Sequence, residues 1–118
     1  MAYRYNHVVL MGRLTKDPEK KTIFDGRLKV SFRLAVPRDY YNSKGKVDTD
    51  FVSIVAFGAV AEQGGQLLRR GSVALIWGKL QVRSYDKQGT VQWMTEVLLD
   101  NFQLLHHAGA IVEKKVLV

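Results

Sequence analysis

Residues 48–58 read DTDFVSIVAFG, a strand-like run that breaks the usual pattern of a half-buried strand. Such a strand alternates apolar and polar side chains, because successive residues point to opposite faces. Val52, Ile54 and Ala56 fill one face here. The other carries Phe51, Val55 and Phe57, with Ser53 between them. The first face suits a packed core. The second presents large rings where a small domain would ordinarily meet water, and rings in that position need a use.

Working outward, the chain reads as strands punctuated by turns. Asn6 to Leu14 is a strand, ended by Thr15-Lys-Asp-Pro-Glu19, since Pro18 cannot donate to a ladder. Lys21 to Phe24 is a short extension closed by the Asp25-Gly26 turn. Leu28 to Val36 is the second strand, with Val30, Phe32, Leu34 and Val36 on one face, and Pro37 is expected to end it. Residues 38–47, RDYYNSKGKV, read as a basic hairpin loop, and Thr49 to Gly58 is the third strand. In AVAEQGGQLLRRG, residues 59–71, Val60, Leu67 and Leu68 have helical spacing. Arg69 and Arg70 suit a helix C-terminus, and Gly71 suits the position just beyond it. Gly64 and Gly65 each cost about 1 kcal/mol relative to Ala, so the helix should be short or irregular. Ser72 to Val82 and Val91 to Leu105 are the fourth and fifth strands, joined through Asp86-Lys-Gln-Gly89.

Three strands, a helix and two more strands predict an all-β chain. The expected architecture is a five-stranded Greek-key barrel of the OB-fold type, with one short helix between the third and fourth strands. Closure would also remove the exposed edges that five apolar strands create. The barrel is expected over residues 1–105, with a short C-terminal tail at 106–118.

Composition narrows the function. A chain of 118 residues suits one domain, and 47% hydrophobic with 25% charged residues suits a folded one. The apolar runs fall far short of the ~18 residues of a membrane helix, and no secretory signal is read near Met1. The absence of cysteine excludes disulfides and thiolate metal sites and fits a cytoplasmic setting. The net charge of +7 is unevenly placed. Residues 1–47 hold eleven Lys and Arg against four acids, whereas residues 48–118 hold seven of each sign, so the whole excess lies in the first part. That distribution serves solubility, and it also makes a footprint for a polyanion.

Six segments, in this order, resemble one family. They are NHVVLMGRLTKDPE, SFRLAV, TDFVSIVAFG, the helix ending LLRRGS, WGKLQVRSYDKQG and TEVLLDNFQLL. Together they resemble the bacterial-type single-stranded DNA-binding proteins from about Asn6 to Leu105. The resemblance implies an OB barrel that wraps single-stranded DNA over an outer groove, with four aromatic positions stacking on bases. By motif these fall on Tyr40, Phe51, Phe57 and Tyr85, and a one-residue shift in the loop would exchange Tyr40 for Tyr41. The rings of DTDFVSIVAFG then have a use as stacking platforms. Phosphate contacts are expected among Arg13, Lys16, Arg33, Arg38, Lys44, Lys46, Arg70, Lys79, Arg83 and Lys87. Trp77, after the apolar run Val73-Ala-Leu-Ile, is expected to pack, and Trp93 has no assigned counterpart. Ala59, Gln81 and Ser84 stand where the family more often carries stronger contacts.

No catalytic or metal constellation emerges, so no enzyme activity and no cofactor are expected. His106 and His107 are adjacent and would point to opposite faces of a strand. Asp48 and Asp50 share a face but lack a third carboxylate for a two-metal nuclease. Gly64-Gly65 precedes no lysine in phosphate-loop fashion. The resemblance further implies a homotetramer, or a dimer, assembled partly through the apolar face Tyr3, Tyr5, His7, Val9 and Met11. Nucleoid-associated roles in replication, recombination and repair follow from it. The resemblance also implies recruitment of partners through an acidic tip, but HHAGAIVEKKVLV has none, so either the chain is trimmed or it does not recruit partners that way. Two competing readings use the same fold: a dimeric primosome-type accessory protein, and a module whose rings serve a protein interface.

Overall fold

Strands with one apolar face can hide it only against a partner or by curling round a shared core, and five strands here curl. The computed structural model describes residues 3–107. Its elements run β1 (Val8–Leu14), β2 (Glu19–Thr22), β3 (Leu28–Tyr41), β4 (Val47–Phe57), α1 (Ala59–Leu67), β5 (Val73–Lys87) and β6 (Thr90–His106). The sheet order is β1-β5-β6-β4-β3-β2, and β1 also pairs with β3. That last pairing, Arg13↔Ala35 and Leu14↔Leu34, closes a five-stranded barrel and leaves β2 as a ribbon on β3. The OB-fold barrel is thus present, with its helix between the third and fourth barrel strands. The expected tail at 106–118 lies, from residue 108 on, outside the described residues.

The alternation read in the sequence is the alternation of the core. Val30, Phe32 and Leu34 from β3 meet Ile54 and Ala56 from β4, Ala74 and Ile76 from β5, and Val97 and Leu99 from β6, all buried. The parallel pairing of β4 with β6 is brief, at Ile54↔Val97 and Val55↔Leu98. A parallel pair cannot be joined by a tight turn, and the connection runs through α1 and β5. Helix α1 lies against the barrel with Ala61, Gly64 and Gly65 buried. The two glycines together cost about 2 kcal/mol of helix propensity. Burying a leucine returns roughly 1.5–3 kcal/mol, and Leu68, at the helix end, is fully buried.

Closure needs bends. The β5–β6 ladder slips between Trp77 and Gly78, leaving Asp100 of β6 as an extra residue. Gly78 sits at that bulge. A Cβ there would collide with the Leu98 carbonyl and the Val97 side chain. Beyond the barrel, β5 and β6 continue as a long hairpin to a two-residue turn, where Gln88 (φ 53°) and Gly89 (φ 84°) both take the positive φ of a type I′ turn.

Several boundaries differ from the sequence reading. Strand β2 runs Glu19–Thr22, not Lys21 to Phe24, because its partner β3 begins at Leu28, opposite Thr22. Pro37 does not end its strand: it pairs with Thr49 in the register of the residues before it, and β3 runs on to Tyr41 with a register shift between Pro37 and Tyr41. The loop is therefore only 42–46, where Asn42 Oδ1 accepts the backbone N–H of Lys44 and of Lys46. Strand β5 does not stop at Val82 but continues to Lys87, because β6 pairs with it out to Thr90. Helix α1 ends at Leu67, and Gly71 (φ 88°) shapes the turn into β5, its N–H donating to the Leu14 carbonyl. At the other end β1 begins at Val8, and Asn6 instead mimics a strand partner. Its side chain donates to the Leu80 carbonyl at 2.7 Å and accepts the Leu80 N–H at 2.8 Å. Among the described residues no helix is long and apolar enough to cross a membrane.

Two glycine substitutions should move stability in opposite directions. A Cβ on Gly64 would lie 3.7 Å from Leu68 and Phe102, an ordinary contact, so Gly64→Ala should gain roughly 0.5–1 kcal/mol. Gly78→Ala should lose about 1–3 kcal/mol through overpacking. Urea midpoints at constant m-value measure both, and a Gly78→Ala midpoint equal to wild type contradicts the packing described.

Candidate nucleic-acid interface

The outer face of β4 carries Phe51, Ser53, Val55 and Phe57, as alternation requires. The antiparallel register sets Ala35 beside Phe51, Arg33 beside Ser53, Ser31 beside Val55 and Lys29 beside Phe57. Strand β2 adds Glu19 beside Ser31 and Lys21 beside Lys29. Phe51 and Phe57 are six residues apart, hence about 20 Å along the strand. Between them runs an open groove of ≈ 340 Å³. Its lining includes Lys16 and Asp17 from the β1–β2 connection, Lys29, Ser31 and Arg33 from β3, and Ser53 from β4. Arg83, Met94 and Glu96 of the β5–β6 hairpin complete it.

The rings differ in readiness. Phe51 is 59% exposed, Tyr40 56% and Tyr85 43%. Phe57 is half-buried, and the Arg27 guanidinium lies over its ring, 5.5 Å from the centroid. Arg27 is itself held by Asp25 at 2.8 Å. Tyr85 shares a face of the hairpin with Arg83, whose cross-strand partner is Met94. Tyr41 stands opposite Val47, on the face that continues to Phe51 by alternation. The Tyr40 hydroxyl instead accepts Arg38 Nη1 at 3.3 Å, on the side of Asp50.

The cations divide into engaged and unengaged. Arg38 forks onto Asp50, Nε to Oδ2 at 3.1 Å and Nη2 to Oδ1 at 3.0 Å, with Asp48 at 3.9 Å. Lys79 binds Asp100 at 2.8 Å, Arg83 binds Glu96 at 2.9 Å, and Arg13 donates to the Gly71 carbonyl at 2.7 Å. Lys16, Arg33, Lys44, Lys46, Arg70 and Lys87 form no ion pair among the described residues. The backbone N–H of Arg70 donates to Asp17, which ties the residue to the groove's rim. Hydrogen bonding from Arg38 holds the Asp50 carboxyl below the usual carboxylate range, and its own proton is held more tightly in return. The backbone N–H of Arg27 does the same to Asp25. A carboxylate lowered on folding contributes stability above its unfolded pKa, and that contribution is lost as pH falls through the folded value. Among the described residues no three His, Cys, Asp or Glu side chains gather as a metal site.

The channel thus brings together an exposed ring, an unpaired arginine and serines. The family model for the single-strand binding protein family matches residues 5–105. The chain belongs to that family. Single-stranded DNA-binding protein 1 of Staphylococcus aureus strain Mu50 is 42% identical over 101 residues, covering 85% of this chain and 65% of that protein. Single-stranded DNA-binding protein 2 of S. aureus strain COL is 44% identical over 101 residues, 85% of this chain and 73% of that protein. The chain thus spans just under two thirds of the first of these. A solved structure of a Plasmodium falciparum SSB complex with ssDNA superposes with a TM-score of 0.80 over 90% of this chain and 99% of that one. At 22% identity it shows the fold alone.

For a member of this family, the sequence-predicted residues are unevenly placed. Arg33, Arg83 and Lys16 line the groove, and Phe51 and Phe57 flank it. Tyr85 and Lys87 extend along the hairpin, and Lys44 and Lys46 cap the 42–46 loop. Arg13 and Lys79 do not line the groove and are held by partners elsewhere. Lys29, Ser31, Ser53, Met94 and Glu96 were missed. Lys29 and Ser31 were findable, since Val30 and Phe32 facing inward puts both outside with Arg33. Trp77 is half-buried opposite Val9, in keeping with a packing role. Trp93 is 71% exposed, on the hairpin face turned away from Arg83.

Arg38→Ala should raise the Asp50 pKa toward the ordinary ~3.9 of an aspartate. A carboxyl-carbon NMR titration of wild type and variant reads this directly, and identical titration curves contradict the pairing.

Proposed function

We propose that this chain binds single-stranded DNA without regard to sequence, coating and protecting it during replication, recombination and repair. No catalytic step is involved. Bases stack on Phe51, Phe57 and Tyr85, joined by Tyr41, the alternative to Tyr40 that stands on the face of Phe51, and phosphates meet Arg33, Lys44, Lys46, Arg70 and Lys87, with Lys16 at the groove's edge. Arg13, Arg38 and Lys79 join only by releasing their present partners. The observation that carries this reading is the exposed Phe51 ring at the head of a groove in which Arg33 has no ion partner. Stacking on a ring is worth ~1–3 kcal/mol per base and scarcely distinguishes bases. Counterion release adds a term that also ignores sequence.

The proposed form is a homotetramer in the cytoplasm, on nucleoid DNA. Support comes from the outer face of β1 and β5, where exposed Val9 and Met11 lie beside Trp77 and Leu75. A dimeric primosome-type protein would use the same face, and light scattering separates two chain masses from four.

Phe51→Ala should weaken binding of oligo(dT) by roughly 1–3 kcal/mol, about five- to 150-fold, with an unchanged melting temperature. Intrinsic tyrosine and tryptophan fluorescence quenching measures affinity. Wild-type quenching that saturates and weakens with salt is the expected background. A variant that unfolds while keeping its affinity per folded molecule would make Phe51 a core residue and remove the proposal's first support.

A further inference from the structure

Arg83 differs from the other arginine of the groove, and the difference lies in Glu96. Glu96 is 4% exposed. It accepts Arg83 Nε at 2.9 Å and Nη2 at 3.4 Å, and Gln81 Nε2 at 3.0 Å. A carboxylate so buried requires such partners, and Arg83 supplies a two-pronged edge of its guanidinium. Nη2 also lies 3.6 Å from the Met94 sulfur.

Two consequences follow. The fork fixes the plane of the guanidinium, while Nη1 makes no hydrogen bond among the described residues and the side chain stays 45% exposed in the groove. The adjacent carboxylate also cancels much of the charge that a phosphate would feel. Arg33 lines the same groove, exposed and without an ion pair. Lys16 and Lys29 line it too, also without an ion pair among the described residues. One groove therefore holds free cations and a neutralised, rigid plane.

We infer that Arg83 is a base-contacting platform positioned by the buried Glu96, and that phosphate contact in this groove belongs to Arg33 and the neighbouring unpaired lysines, not to Arg83. A guanidinium plane stacks on bases as aromatic rings do. Two residues from Tyr85 on the same face of the hairpin, it extends the series of stacking surfaces. Lysine carries the charge but not the plane. The inference rests on the proposed DNA-binding function and refines it.

The test measures affinity and salt dependence for wild type, Arg83→Lys, the double variant Arg83→Gln with Glu96→Gln, and Arg33→Ala. The probes are an oligo(dT) and an abasic oligonucleotide of the same length, with circular dichroism to establish folding. The double variant keeps the hydrogen bond and the net charge of the pair, so it serves if Arg83→Lys does not fold. The expected result is that both Arg83 variants lose about five- to tenfold in affinity for oligo(dT). Their salt slope and their affinity for the abasic probe stay at wild type. Arg33→Ala should instead flatten the slope by about 0.7, the worth of one phosphate contact on a single strand. An Arg83 variant whose slope flattens by that amount, or whose oligo(dT) affinity is unchanged, overturns the inference while leaving the DNA-binding reading intact. Wild type that binds neither probe overturns both.

Discussion

Strand β1 hydrogen-bonds along both edges, to β5 from Val8 to Arg13 and to β3 at Arg13 and Leu14. Everything else rests on that double pairing. It turns an open sheet into a barrel and buries Leu14 and Leu34 at the seam. Inward-facing residues of β3 and β4 then have a core, and of the outward-facing ones only Val55 is also buried, while several others stay open. Phe51, Ser53, Arg33 and Ser31 are exposed or half-exposed. Gly12 marks how close the seam is, since a Cβ there would strike the Ala35 carbonyl. The seam that stabilises the fold thus also exposes the groove.

The groove combines two kinds of surface suited to a flexible polyanion with flat bases. Rings and a held guanidinium offer stacking faces, and uncommitted lysines and arginines offer charge. Several basic residues are bound to acids of the same chain, so formal charge overstates what a ligand would meet. Arg38 is spent on Asp50 and Lys79 on Asp100. The basic first part of the sequence still contributes, through Lys16, Lys29, Arg33, Lys44 and Lys46. These stand on or next to the face of Phe51 and Phe57.

Most of the barrel was legible because inward and outward residues alternate where a core exists. Val30, Phe32 and Leu34 read as one face and are one face. Legibility failed where both faces meet water. The turn near Gly89 and the arm from Val91 were readable, but residues 83–87 carry no alternation, so the first arm reads as ending at Val82, short of its pairing to Lys87. Pro37 misled for a different reason: proline ends a ladder only where its N–H is needed, and Pro37 is accommodated opposite Thr49 before the register shifts. Gly64 and Gly65 read alike as a local cost, but only Gly65 sits tight against the sheet, where a Cβ would lie 3.0 Å from Lys20, whereas Gly64 has room for one. At the site, the outward rings of DTDFVSIVAFG were visible from period alone. The pairing of Arg83 with Glu96 was not, because burial of one glutamate among seventeen residues of β6 depends on a neighbour thirteen positions away.

The central claim is that the outer β3–β4 groove is the surface met by single-stranded DNA. Amide chemical-shift mapping during titration with oligo(dT) tests it most directly. The account predicts that the largest changes fall on Ser31, Arg33, Phe51, Ser53 and the hairpin residues Arg83 to Tyr85. Changes concentrated instead on Val9, Met11, Leu75 and Trp77, with the groove silent, would contradict it.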